Sequence, residues 1–114
     1  MTTRIRQVPR LEGRYALEIL ARLDSGSGGR VECGVVRFAR GTRSPVEGLH
    51  RNSCHEFAFV LSGRVLVETA DRTFEAGPGD CLIGTPSEAH ATTGLEDADL
   101  LFVLVDPVRA VGQS

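Results

Sequence analysis

Lysine is absent. All 13 basic residues of this 114-residue chain are arginines, so Schiff-base chemistry on a lysine amine and P-loop phosphate binding are excluded. Long apolar runs are missing too. No stretch approaches the roughly 20 residues of a bilayer-crossing helix, and no membrane partner is expected. The basic N-terminal stretch MTTRIRQVPRLEGRYALEIL lacks the uninterrupted apolar core and small-residue cleavage site of a secretory leader. No C-x-x-C pair occurs among Cys33, Cys54 and Cys81. That argues against a disulfide scaffold or a zinc ribbon, and for free thiols in a reducing, cytoplasmic setting. The formal net charge is only −2, which gives no reason to expect a nucleic-acid partner. Neither an internal repeat nor the spacing of a nucleophile elbow is present.

What is present reads as one soluble domain, with 41% hydrophobic and 25% charged residues. Charge is unevenly spread: residues 1–51 carry ten arginines against five acids, and residues 52–114 three against ten. Glycine and proline punctuate the chain at Ser25–Gly29, Gly41–Pro45, Ser62-Gly63, Gly77–Gly79 and Gly94. Short segments rich in Val, Leu, Phe and Thr lie between, the spacing of an all-β sandwich or barrel. Strands are expected at Tyr15–Leu23, Arg30–Ala39, His55–Leu61, Arg64–Thr69, Asp80–Gly84, Ala89–Thr92 and Asp99–Asp106. Leu11, Tyr15 and Glu18 also fit a helical period, which leaves the first of these open between strand and helix. Ser62-Gly63 reads as a tight hairpin.

Two segments are apolar on both strand faces. In HEFAFVL, Ala58 and Val60 share one face, while Phe57, Phe59 and Leu61 share the other. Leu100–Val105 is apolar throughout. One face can line a barrel, but the other needs separate cover. We expect a homodimer over Phe57, Phe59 and Leu61, with Ile5, Val8, Leu11 and Tyr15 as alternative cover from the same or a partner chain.

The three histidines are His50, His55 and His90. His50 and Asn52 precede Glu56 and Gly63 at the spacing His-x-Asn, three residues, Glu, six residues, Gly. Gly79-Asp80 opens a second segment, with Pro86 in its turn and His90 at its end. Together these segments resemble the two motifs of the cupin superfamily over about residues 30–106. The resemblance implies a small jelly-roll barrel, an all-β double-stranded β-helix spanning 1–114. Residues 30–106 would form the barrel core, and 1–29 would pack outside it or swap onto a partner. It also implies a site for one divalent metal ion (Fe, Zn, Mn or Ni) on His50, Glu56 and His90, with Glu56 as ligand or catalytic base. Asn52 stands where the family's second histidine would be, and an amide oxygen is a weaker donor than imidazole for most transition metals. Ser87 and Gly94 replace the second motif's usual glycine and asparagine.

His55 is an additional ligand only if a bulge turns it inward, because on a regular strand it points away from Glu56. The adjacent Cys54 and His55 do not suit a thiolate–imidazole pair for the same reason. Arg37, Arg40 and Arg43 are candidates for pairing with a substrate carboxylate, although a solvated strand end is their commoner use. A Lewis-acid isomerase, cyclase or lyase acting on a small polar or carboxylate-bearing metabolite is the leading functional expectation. An iron-dependent dioxygenase and a non-catalytic small-ligand binder are the alternatives.

Overall fold

Segments with alternating buried and exposed positions can satisfy their backbone only by pairing with one another, and here they form two antiparallel sheets. The computed structural model describes residues 3–24 and 28–106. Its strands are β1 (Tyr15–Asp24), β2 (Arg30–Phe38), β3 (Arg43–Ser44), β4 (His55–Ser62), β5 (Val65–Thr69), β6 (Thr73–Ala76), β7 (Cys81–Gly84), β8 (His90–Gly94) and β9 (Ala98–Asp106). One sheet has the order β1-β2-β9-β4-β7, and the other β3-β8-β5-β6. No helix occurs among the described residues, so none is long and apolar enough to cross a membrane. The expected all-β jelly-roll architecture is the one observed. Part of the Ser/Gly loop, residues 25–27, lies outside the described residues, as do 107–114.

The two inner faces meet in a single apolar layer. Val36 and Phe38 of β2, Ala58 and Val60 of β4, and Leu100 and Phe102 of β9 pack with Val65 and Val67 of β5 and Ala76 of β6. Full burial of such a valine, leucine or phenylalanine side chain contributes about 1.5–3 kcal/mol. Tyr15 also turns inward, its ring edge-on to Phe38 at 5.3 Å.

The segment open to a helical reading is strand β1, paired with β2 along its length. A register shift between Ile19 and Ala21 breaks its alternation. Such a bulge blurs the period-two signal that otherwise marks a strand. The expected Ser62-Gly63 hairpin is not formed. β4 pairs with β7 and β9, whereas β5 pairs with β6 and β8, so this turn carries the chain from one sheet to the other. Gly63 makes the crossing possible. Its φ is +77°, and a Cβ there would run into the Asp97 carbonyl.

Two short strands, β3 and β6, were not expected. β3 has two residues, and three of the four in β6 are exposed; neither is long enough to show alternation. The punctuation at Gly77–Gly79 forms a turn closed by Asp80. Gly77 N–H donates to Asp80 Oδ2 at 2.9 Å, and Asp80 N–H donates back to the Gly77 carbonyl at 3.0 Å.

Strand direction decides what faces out. Phe57 and Phe59 lie opposite Val103 and Leu101 of β9, and Phe57 also lies opposite Ile83 of β7. Phe57, Phe59, Leu61 and Ile83 are 37%, 41%, 47% and 70% exposed. Ile5 and Val8, offered above as cover, are themselves 91% and 54% exposed, and Tyr15 is turned to the interior. The apolar outer face of the five-stranded sheet is therefore not shielded by these residues of its own chain.

Candidate functional site

Because Ala58 and Val60 point inward, Glu56 two residues earlier must point inward as well. Its neighbour across β7 is Gly84. From the other sheet, His90 opens β8 opposite Thr69 of β5. His50 joins His90 through a backbone bridge, each N–H donating to the other's carbonyl at 2.9 Å. These elements surround a cavity of about 510 Å³ whose wall includes His50, Asn52, Glu56 and His90. The remaining wall is largely apolar, with Val36, Phe38, Leu100 and Phe102 among its members.

At the polar end, Asn52 Nδ2 donates to Glu56 Oε1 at 3.2 Å, and His90 Nε2 lies 3.6 Å from the same oxygen. Gly84 faces this point, where a Cβ would meet Glu56 Cβ and His90 Cε1 at ordinary contact distance, 3.7 Å. Two donors on one transition-metal ion, each about 2.1 Å from it, lie roughly 3–3.4 Å apart. The Glu56–His90 separation of 3.6 Å is slightly wider, and a small side-chain rotation would bring both onto one ion. The donor types, imidazole and carboxylate, also fit. His50 lines the same cavity but is exposed. Among the described residues, no three His, Cys, Asp or Glu side chains form a group that could hold an ion. The structure thus brings Glu56, His90 and Asn52 together, and places His50 on the same cavity without closing the set.

His55 opens β4 opposite Val105, is exposed, and does not line the cavity. The register shift in β4 falls between Val60 and Ser62, too far along to turn His55 inward. Cys54 is buried, its sulfur 3.7 Å from Ser53 Oγ.

Burial raises the Glu56 carboxyl above its ordinary pKa of 4.5, against the opposing pull of His90 and of the Asn52 hydrogen bond. A pKa higher in the folded than in the unfolded chain means stability that is fully present below the unfolded value and lost as pH rises through the folded one. In the metal-free chain, the thermal midpoint should therefore carry a component that falls as pH climbs above about 4.5. Glu56→Gln should remove that component and raise the midpoint at neutral pH. Parallel pH profiles for parent and variant would contradict the assignment.

The arginines offered above for a carboxylate do not line this cavity. Arg37 pairs with Asp97 at 3.3 Å and Asp99 at 3.7 Å. Arg43 reaches Glu68 at 3.4 Å and the Pro45 carbonyl at 2.8 Å, while the Arg40 backbone N–H donates to Asp97 at 2.9 Å. Among the described residues, the arginine on the cavity wall is instead Arg72, from the turn between β5 and β6. Nothing in the local sequence marks it. The turn is anchored by Thr69, whose N–H donates to the Arg72 carbonyl at 2.9 Å.

The family model for the cupin domain matches residues 34–106. A cupin superfamily protein from Desulfitobacterium hafniense superimposes with a TM-score of 0.71 at 19% identity, over 88% of this chain and 84% of that one. KdgF from Halomonas sp. gives 0.68 at 18% identity, over 93% and 89%. The cupin domain of an XRE-family transcriptional regulator from Enterobacter cloacae gives 0.68 at 14% identity, over 83% and 99%. At these identities the likeness is one of fold. A search of the curated proteins finds no match.

Proposed function

This chain belongs to the cupin family, and from that premise we propose that it is a metal-dependent enzyme acting on a small polar or carboxylate-bearing molecule held in the barrel cavity. The observation that carries this reading is the meeting of Glu56 and His90 at 3.6 Å on the wall of a cavity large enough for a small metabolite. His50, Glu56 and His90 would hold the ion. When bound, it would supply Lewis-acid polarisation of a substrate carbonyl. Where Glu56 serves as the local base rather than as a ligand, burial, which raises its carboxyl pKa, helps it take up a proton. Asn52 orients Glu56 through its hydrogen bond at 3.2 Å.

Elemental analysis of protein purified without chelator or metal-affinity tag tests the reading. Stoichiometric zinc, nickel or manganese supports Lewis-acid chemistry, and stoichiometric iron supports an oxygenase. Absence of metal supports a binding module that captures a ligand without turning it over. That second reading is favoured by the Asn52–Glu56 hydrogen bond, which occupies the carboxylate oxygen that also faces His90.

Asn52→His should tighten metal binding about ten-fold or more, since imidazole is the stronger donor. Isothermal titration with zinc or manganese checks this. Unchanged or weaker affinity would mean that position 52 does not serve the ion.

The partner we propose for the outer sheet face is a second copy of this chain. Five strands about 4.8 Å apart and some seven residues long present roughly 500 Å² in projection. With side-chain relief, that approaches the ~800 Å² per partner of a stable interface.

A further inference from the structure

We propose that Arg72 is the group in the cavity wall that receives a ligand's carboxylate, and that Glu88 occupies it until the ligand arrives. The inference rests on the reading of the cavity as a small-molecule site and adds to it the residue that selects the ligand's charge.

Three observations carry it. First, Arg72 is the arginine that lines the cavity among the described residues, while Arg37 and Arg43 are held by acids elsewhere. Second, its guanidinium carbon lies 5.3 Å from the centroid of the Phe74 ring. Contact with an aromatic ring steadies the planar group, while its N–H donors stay available for two-point pairing with a carboxylate. Third, its present acidic partner is a weak one. Glu88 Oε1 stands 3.7 Å from Arg72 Nη2, with the two side chains 47% and 63% exposed. An exposed pair at that distance exchanges readily for a better-placed anion.

Position relates this cation to the polar end of the cavity. Arg72 follows Thr69, which lies opposite His90, and Glu88 precedes His90 by two residues. Both partners of the weak ion pair therefore hang from the two strands that carry His90 and its neighbour. The other carboxylates of the wall are already engaged: Glu32 with Arg22 at 2.6 Å, and Glu56 with Asn52 and His90. Arg72, Glu56 and the apolar side chains of the wall line one cavity, so a ligand whose carboxylate reached Arg72 would find apolar contact and the polar end within it.

The test uses phenylacetate and its neutral amide, phenylacetamide, as probes of equal shape. Each is titrated by NMR into the full chain, with and without chelator, so that a carboxylate bound by metal is told apart from one bound by Arg72. The parent should bind phenylacetate about ten-fold more tightly than the amide under both conditions. Arg72→Gln should abolish that preference while leaving amide binding, metal content and thermal midpoint unchanged. Glu88→Gln, which removes the internal competitor, should tighten phenylacetate several-fold and leave the amide unaffected. If the Arg72→Gln chain keeps the parent's preference, or the parent has none while still binding the amide, the proposal is overturned and the cavity reading stands. Failure of both probes to bind overturns the cavity reading and the proposal together.

Discussion

Replacing His90 by alanine is expected to strip the chain of its divalent ion. His90 is the imidazole already in place, 3.6 Å from Glu56 Oε1. Without it, Glu56 is left with His50, which lines the same cavity but forms no three-residue donor group with it among the described residues. Two side-chain donors seldom hold an ion against water, so affinity should fall by about 100-fold or more. The fold should survive, because His90 is half-buried at the start of β8 and its bonds to His50 run through the backbone. Metal content and zinc titration of the parent and variant measure the effect. A His90→Ala chain that retains full occupancy would remove this residue from the site.

Replacing Phe59 by aspartate should turn a dimer into a monomer. Phe59 sits in the middle of the uncovered face, 41% exposed, opposite Leu101 on one side and Cys81 on the other. Burying an unpaired carboxylate at that point costs about 2 kcal/mol or more for each copy. Two copies then weaken association by about three orders of magnitude. The side chain points away from the barrel, so the core of Ala58, Val60 and Phe102 is untouched and the monomer should fold. Light scattering at micromolar concentration checks both chains. A parent that is already monomeric would show that this face has another partner or none.

The parts of the molecule that were legible in the sequence are those governed by local chemistry. Alternation along HEFAFVL correctly set Ala58 and Val60 inward and Phe57, Phe59 and Leu61 outward. Carried back two residues, it also set Glu56 inward and His55 outward. The motif spacing relative to Gly63 and Gly79 singled out residues that come together only across two sheets, His90 from β8 and Glu56 from β4.

Other features were hidden because local signals do not encode which sheet a strand joins. A serine-glycine turn serves a hairpin and a sheet crossing equally well, and at Gly63 the deciding fact is the approach of the Asp97 carbonyl from far along the chain. β6 was hidden by its length: two apolar positions in four residues, Phe74 and Ala76, are too few to mark an alternation. Arg72 could not be told from Arg37 or Arg43 by residue type. Its role depends on the β5–β6 turn meeting the β7–β8 connection, which no spacing along the chain records. The helical period at Leu11, Tyr15 and Glu18 was misleading because it runs across the start of β1 at Tyr15, joining a residue outside the strand to two within it.

The central claim is that one divalent ion sits in the barrel on His50, Glu56 and His90. Anomalous diffraction from crystals of the chain loaded with zinc or manganese, collected at the metal's absorption edge, tests it most directly. The account predicts one dominant anomalous peak inside the cavity, within bonding distance of His90 and Glu56, with the His50 imidazole turned in to complete the set. A loaded crystal whose anomalous signal lies elsewhere, or whose cavity holds none, would contradict it.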